Sequence, residues 1–220
     1  RLWDVKGGRD PRVLAGHQGG VCAVAYSPDG KLLASGAQDQ TIRTWKLPSG
    51  KAALNQGAHI GGATSVAFSS DSTRLASGGE HGEVCITDAG SGDQVRTQSG
   101  LEPVASVAFG PVGSLLAVGT KLGIRIWGSR GERELCVLAQ KHCSVGSVVF
   151  GQSGPAFAYA SNDGSIGLLD LRAGRERDRL VGCQSRGTSL ALSPDGRYVA
   201  SGVGDMGVRV WRVADKLGST

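Results

Sequence analysis

Aromatic residues make up only 5% of the 220-residue chain, and there is a single methionine. That scarcity speaks against a single-stranded nucleic-acid platform, which needs aromatic faces interleaved with basic groups, so no nucleic-acid partner is expected. No apolar run approaches the eighteen or so residues of a membrane-spanning helix, and no charged-then-apolar leader follows Arg1, so no membrane partner is expected either. The five cysteines are odd in number and contain no C-x-x-C pair. This is not a disulfide framework, and it points to a reducing, intracellular and cytoplasmic setting. Cys22 and Cys85 sit in apolar runs and read as small core residues. Cys136, His142 and Cys143 lie close in sequence but lack a fourth ligand at zinc spacing, so no metal is expected. G-x-S-x-G, Walker, H-E-x-x-H and calcium-loop patterns are all missing. The reading is therefore a non-enzyme with no cofactor and no small-molecule substrate.

Apolar residues reach 40%, enough for a core, and the 36 glycines stand well above the usual share. They follow no three-residue period, which excludes collagen and favours many tight turns. The net charge of +5 is mostly arginine. Its densest cluster, "LRAGRERDRL" at 171–180, mixes Arg172, Arg175, Arg177 and Arg179 with Glu176 and Asp178 and reads as a solvated edge.

"SPDGKLLASGAQDQTIRTW" at 27–45 returns as "SPDGRYVASGVGDMGVRVW" at 193–211. Equivalent positions run Trp3, Trp45, Thr87, Trp127, Leu169 and Trp211, at steps of 42, 42, 40, 42 and 42 residues. Tyr26, Phe68, Phe109, Phe150 and Leu192 keep the same step. Each unit holds a short apolar strand ("VCAVAY", "TSVAF", "VASVAF", "GSVVF", "TSLAL"), a turn and a second strand such as "KLLASG". A polar loop, a third strand such as "TIRTW", and a turn into a fourth follow. Four short strands at a period of about 40–45 residues describe a propeller blade, and helical periodicity is missing. "GVGDMG" at 202–207 matches G-x-G-x-x-G, but it runs into a strand rather than a helix and reads as a hairpin turn.

The units resemble WD repeats: Gly16-His17, Asp39, Trp45-Lys46 and Trp3-Asp4 stand where that family has its GH, Asp and WD marks. The resemblance covers essentially the whole chain. It implies an all-β propeller of four-stranded antiparallel blades around a central channel. About five blades are expected here, as repeats at approximately 12–47, 52–88, 94–127, 135–170 and 178–213. Residues 1–5 would then end a truncated preceding repeat, and "RVLAG" at 12–16 would complete the last blade. The family's rings most often have seven blades and need about 300 residues, so the segment is expected to be part of a larger ring.

The resemblance also implies a structural tetrad of His, Ser or Thr, Asp and Trp, in which an imidazole bridges a carboxylate and a hydroxyl that an indole N–H also satisfies. Only the first repeat holds the full set, His17, Ser35, Asp39 and Trp45. The last keeps Ser201, Asp205 and Trp211 with Cys183 at the histidine position. The second keeps His59 and Ser77, with His81 at the Asp and Thr87 at the Trp position. The fourth keeps His142 and Asp163, with Tyr159 and Leu169 at the other two. A Ser-His-Asp hydrolase triad needs an exposed nucleophile beside an oxyanion pocket, and Ser35 lies in an apolar strand.

What remains is surface. The loops between second and third strands share an end with the loop carrying His17, and by resemblance this is the family's commonest partner-binding face. Gln38, Ile60, Glu80, Lys121 and Asn162 are the candidate contacts. The expected function is a protein–protein interaction scaffold. The alternative is a module recognising an anionic ligand, a phosphopeptide or nucleic acid, through Arg43, Arg125 and Arg209, which share a third-strand position.

Overall fold

Short Val-rich strands separated by Ser-Pro-Asp-Gly and Gly-bearing turns can close only as antiparallel meanders. The computed structural model describes residues 1–4, 11–111, 115–128, 134–138, 144–151, 156–170, 175–180, 189–203 and 207–213. Blade 1 comprises β1 (Val21–Tyr26), β2 (Leu32–Ala37), β3 (Thr41–Lys46) and β4 (Lys51–Gly57). Blade 2 has β5 (Ala63–Phe68), β6 (Arg74–Gly79), β7 (Val84–Asp88) and β8 (Gln94–Gln98). Blade 3 has β9 (Val104–Phe109), β10 (Leu115–Thr120), β11 (Gly123–Gly128) and β12 (Glu134–Leu138). Blade 4 has β13 (Val145–Phe150), β14 (Ala156–Ser161), β15 (Ile166–Asp170) and β16 (Arg175–Leu180). Blade 5 shows three strands among the described residues, β17 (Ser189–Leu192), β18 (Tyr198–Val203) and β19 (Gly207–Arg212). No helix occurs among the described residues, so none is long and apolar enough to cross a membrane.

The first strands β1, β5, β9, β13 and β17 contact one another in that order and form the inner rim. Between blades the core is built from the third strand of one and the first strand of the next. Ile124 and Ile126 of β11 cluster with Val145, Val148 and Phe150 of β13, for example. Each fully buried aliphatic side chain there stabilises by about 1.5–3 kcal/mol. The repeated "ASG" and its variants have a steric reason. A Cβ at Gly36, Gly78 or Gly119 would come within 2.9, 2.4 or 2.9 Å of Ala63, Val104 or Val145, the residue that opens the next blade.

Two expectations are corrected. "RVLAG" does not complete blade 5: the backbone of Arg12 exchanges hydrogen bonds of 2.8 and 2.9 Å with Leu2, so these two stretches pair with each other. Cys22 is exposed rather than in the core, at a first-strand position whose equivalents in blades 2 and 3, Thr64 and Ala105, are not buried either, while Cys85 is buried as expected. "GVGDMG" does connect antiparallel strands, since Val203 of β18 pairs with Gly207 of β19.

The turns between first and second strands carry their own fastening. The Ser69 hydroxyl donates to Asp71 (2.5 Å) and accepts the Arg74 N–H (2.9 Å), while the Thr73 N–H donates to Asp71 (3.0 Å). Ser27 with Asp29 and Ser193 with Asp195 repeat this arrangement. Donation from Ser69, the Thr73 N–H and the Thr73 hydroxyl pulls the Asp71 carboxyl down to about 2. Its folded value lies below the unfolded one of about 3.9, so its contribution is complete above about pH 4 and lost as pH falls through about 2. Asp71→Asn should therefore be less stable than wild type at pH 7, with the gap closing between about pH 4 and 2 in urea melts. A gap independent of pH would show that the carboxylate charge contributes nothing.

Candidate functional site

In blade 1 the loop after "RVLAG" and the β2–β3 loop meet at one end of the blade. The Gln38 N–H donates to the Gly20 carbonyl (2.9 Å), which holds the two loops together. Between them, His17 Nδ1 faces both Asp39 carboxylate oxygens at 2.9 and 3.1 Å, so this nitrogen carries the hydrogen. Nε2 then accepts from the Ser35 hydroxyl (2.8 Å), whose oxygen accepts the Trp45 Nε1–H (2.9 Å). Burial raises the Asp39 pKa. The Thr41 hydroxyl, the Gln18 N–H, His17 and the Thr41 N–H outweigh it, and the carboxyl sits far below the ordinary range. The relay resembles a hydrolase triad in connectivity only. Ser35 is 4% exposed, and its hydroxyl donates to His17 Nε2 while accepting the indole N–H, a structural use of both groups.

Blade 2 departs from this in a way its sequence conceals. His59 Nε2 pairs with the Ser77 hydroxyl at 2.8 Å, but His81, at the Asp position, is exposed. Glu83 stands in instead, with Oε2 4.0 Å from His59 Nδ1, too far for a hydrogen bond, and both atoms are buried without partners. Burial pushes the His59 pKa down, opposed by the Glu83 charge. Thr87 turns its hydroxyl to the Leu75 carbonyl (3.4 Å). The signal in the sequence was an acidic residue at the step of 42 from Thr41, whose hydroxyl lies 3.2 Å from His17 Nδ1 in blade 1.

In blade 4, Tyr159 occupies the serine position, fully buried, with its hydroxyl receiving Arg179 at 3.5 Å. Burial is the main cause that raises the phenol to about 12. Arg179 also pairs with Glu176 (3.0 Å) and Asp163 (3.7 Å), while Asp163 accepts from the Ser165 N–H and hydroxyl at 2.8 and 2.6 Å. The mixed-charge run thus forms the edge strand β16. In blade 5 the Ser201 hydroxyl donates to the Gly202 carbonyl (3.2 Å), and Trp211 packs against the cluster around Val199 and Leu168. His142, Cys183 and Asp205 lie outside the described residues, as do the side chain of Cys136 and all of Cys143. Among the described residues no group of three or more His, Cys, Asp or Glu could hold a metal.

The candidate contact residues share one end. Glu80 N–H donates to the Gly62 carbonyl (3.1 Å) and Asn162 N–H to the Ser144 carbonyl (2.8 Å), repeating the Gln38 arrangement. Gln38, Glu80, Lys121 and Asn162 are all exposed, and Ile60 is 69% exposed. Leu122, beside Lys121, is exposed as well and was not singled out from sequence. Arg43, by contrast, is half-buried, and its guanidinium lies close over Gly16 beside the Trp45 ring, along the blade rather than out of it.

The sequence family described as WD domain, G-beta repeat, matches residues 8–46, 53–88 and 182–212. The chain is 54% identical over 41 residues to the WD40 repeat-containing protein HOS15 of Arabidopsis thaliana, covering 19% of this chain and 7% of that protein. It is 30% identical over 227 residues to telomerase protein component 1 of Mus musculus, covering 97% of this chain and 8% of the relative. It is 26% identical to THO complex subunit 3 of Arabidopsis thaliana, covering 94% of this chain and 67% of that protein. Among solved structures, the WD40 repeats of RRP9 superpose with a TM-score of 0.85 at 23% identity, covering 93% of this chain and 64% of that one. U3-55K gives 0.85 at 22% identity with the same coverages. The chain thus spans under a tenth of the first two relatives and about two thirds of the solved chains. Repeat step, blade architecture and sequence match converge: the chain belongs to the WD-repeat family of β-propellers.

Proposed function

We propose that the chain is a non-catalytic scaffold that holds a protein partner on the end formed by the loops of His17, Gln38, Ile60, Glu80, Lys121 and Asn162. One observation carries this reading. In blades 1, 2 and 4 the framework beneath these loops repeats the same backbone hydrogen bond, while the exposed residues at the tips, Gln38, Glu80 and Asn162, differ. Two of the tips, Ile60 and Leu122, offer large apolar side chains among polar neighbours, the composition of an interface anchor with its rim. THO complex subunit 3 is by name a member of an assembly, which fits the same role.

Replacing Gln38, Glu80 and Asn162 together by alanine should leave the melting behaviour nearly unchanged, at up to about 0.5 kcal/mol per site, and lower partner capture from lysate. Asp29, Ser72 and Asp195 at the opposite end are unsuitable controls. Asp29 and Asp195 hold their turns, and Ser72 accepts the Asp29 N–H from the neighbouring blade (3.1 Å). Lys31, Lys51 and Ser70 are exposed there and serve better. Loss of capture by the control triple alone would place the binding face at the other end. Capture that falls steeply with salt would favour the anionic-ligand reading.

A further inference from the structure

Carboxylates in this fold are served by their own turns. Asp29, Asp71 and Asp195 each accept from a serine hydroxyl two residues before and an N–H two residues after. Asp88 accepts the Gly90 and Ser91 N–H groups at 2.9 and 2.8 Å. Asp39 and Asp163 are likewise held within their loops. Three glutamates depart from this rule. Among the described residues, Glu80 and Glu102 have no hydrogen bond or ion pair, while every other carboxylate except Glu83 has a partner. Glu83 has only His59 Nδ1 at 4.0 Å, beyond hydrogen-bond reach. One carboxylate oxygen of Glu83 and one of Glu102 are buried without a donor, as is Nδ1 of the fully enclosed His59 that faces Glu83.

These groups lie together on the loops of blades 2 and 3, which are interior to the row with a blade packed on each side. A Cβ at Gly61 would stand 3.6 Å from Glu80 Oε2, so the loop carrying Ile60 lies against the loop carrying Glu80 and Glu83. The Leu101 N–H donates to the Gly82 carbonyl (3.3 Å), which sets Glu102 against that same loop. Thr120 pairs with Val104, so the hairpin of Lys121 and Leu122 follows beside Glu102. Ile60 in blade 2 and Leu122 in blade 3 are 69% and 61% exposed. Histidines apart, Lys121 is the one cation of these loops, against three carboxylates on a chain whose net charge is +5.

A carboxylate drawn partly out of water without a donor is less stable than one in solution. An ammonium or guanidinium brought to it supplies that donor and relieves the cost, which favours the bound state over the free one. We propose, on the reading that this end holds a protein partner, that blades 2 and 3 receive a basic segment of that partner. Its lysine or arginine side chains meet Glu80, Glu83 and Glu102, and an apolar residue between them packs on Ile60 or Leu122.

Panning a phage-displayed library of random dodecapeptides on the folded 220-residue chain tests this. Enriched sequences should carry lysine or arginine beside an aliphatic or aromatic residue. The consensus peptide should bind at least about tenfold tighter than its counterpart with glutamate in place of each basic residue. Glu80→Gln with Glu102→Gln should weaken the consensus peptide at least about tenfold, and Ile60→Ser with Leu122→Ser should weaken it too. None of the four side chains belongs to the core, and circular dichroism confirms folding. Glu80→Lys alone replaces the glutamate pair if that double variant is unfolded. Salt screens attraction of either sign, so the sign is read from the peptides. Enrichment of acidic or uncharged sequences, no enrichment, or a cationic peptide indifferent to the glutamate variants would each overturn the proposal. Lysate capture lost with Gln38→Ala and Asn162→Ala, yet unchanged by Glu80→Gln with Glu102→Gln, would keep the binding face and remove its cationic partner. Capture unchanged by all of these variants would remove both.

Discussion

Gly167→Ala is expected to destabilise the protein by about 3 kcal/mol or more, a large effect for one methyl group. Gly167 lies between Tyr159 on β14 and Arg179 on β16 in the strand register. A Cβ there would come 2.1 Å from the tyrosine ring and 2.4 Å from its hydroxyl. The ring cannot step aside. It is 0% exposed, belongs to the cluster of Ile124, Val145 and Phe157, and its hydroxyl is held by Arg179. In blades 1, 2 and 5 the arrangement is inverted: Ser35, Ser77 and Ser201 face Arg43, Cys85 and Arg209, a small residue opposite a larger one.

The pair in blade 4 has therefore exchanged sizes, and the two positions should couple. Tyr159→Ser alone leaves a cavity and costs several kcal/mol, about 3–5 by analogy with other large-to-small core changes. Adding Gly167→Ala to that background should cost less than about 1 kcal/mol, because the obstructing ring is gone. A double-mutant cycle in urea measures the difference. Equal cost of Gly167→Ala in both backgrounds would mean that the contact with Tyr159 is not what requires glycine.

Much of the fold was legible because the repeat writes it five times. Strand text, turn chemistry and the step of about 42 residues are local properties, and they agree across units, so tertiary context had little to override. The errors arose where a residue's environment is set by its place in the blade rather than by its neighbours in the chain. Cys22 has the same apolar surroundings in sequence as Cys85, yet it stands at a first-strand position left unburied in blades 2 and 3 as well, by Thr64 and Ala105, whereas Cys85 stands on a buried third strand. "RVLAG" reads as a fourth strand, and the Arg12–Leu2 pairing keeps it with the third-strand text "RLWDV" that precedes it, as β4 pairs with β3 in blade 1. Leu122 differs from the apolar residues around it only in its exposure at the loop tip, which its sequence neighbours do not mark.

The polar sets were legible only where they match the family's pattern residue by residue. Glu83 was missed because it approaches His59 from a position two residues beyond the expected carboxylate. Tyr159 was seen to break the pattern in blade 4. That it demands glycine across the sheet follows only from the register, which pairs residues eight apart in the chain.

The first and second blades offer a comparison between a complete and an incomplete set. His17→Ala should cost about 1–3 kcal/mol: the Ser35 hydroxyl loses its acceptor and Asp39 one of its donors, though Gln18 and Thr41 still serve that carboxylate. His59→Ala removes the same volume from an equally enclosed place, so the void term is similar. It breaks only the Ser77 hydrogen bond and relieves a buried Nδ1 that has no partner, so it should cost less. A repair tests the cause. His81→Asp with Glu83→Thr copies Asp39 and Thr41 into blade 2 at the matching step, placing a carboxylate where Nδ1–H can donate to it. In that background His59→Ala should become as costly as His17→Ala is in wild type, a rise of about 1 kcal/mol in urea melts. If both histidines cost the same without the repair, or the repair leaves the cost of His59→Ala unchanged, the carboxylate is not what distinguishes the two blades.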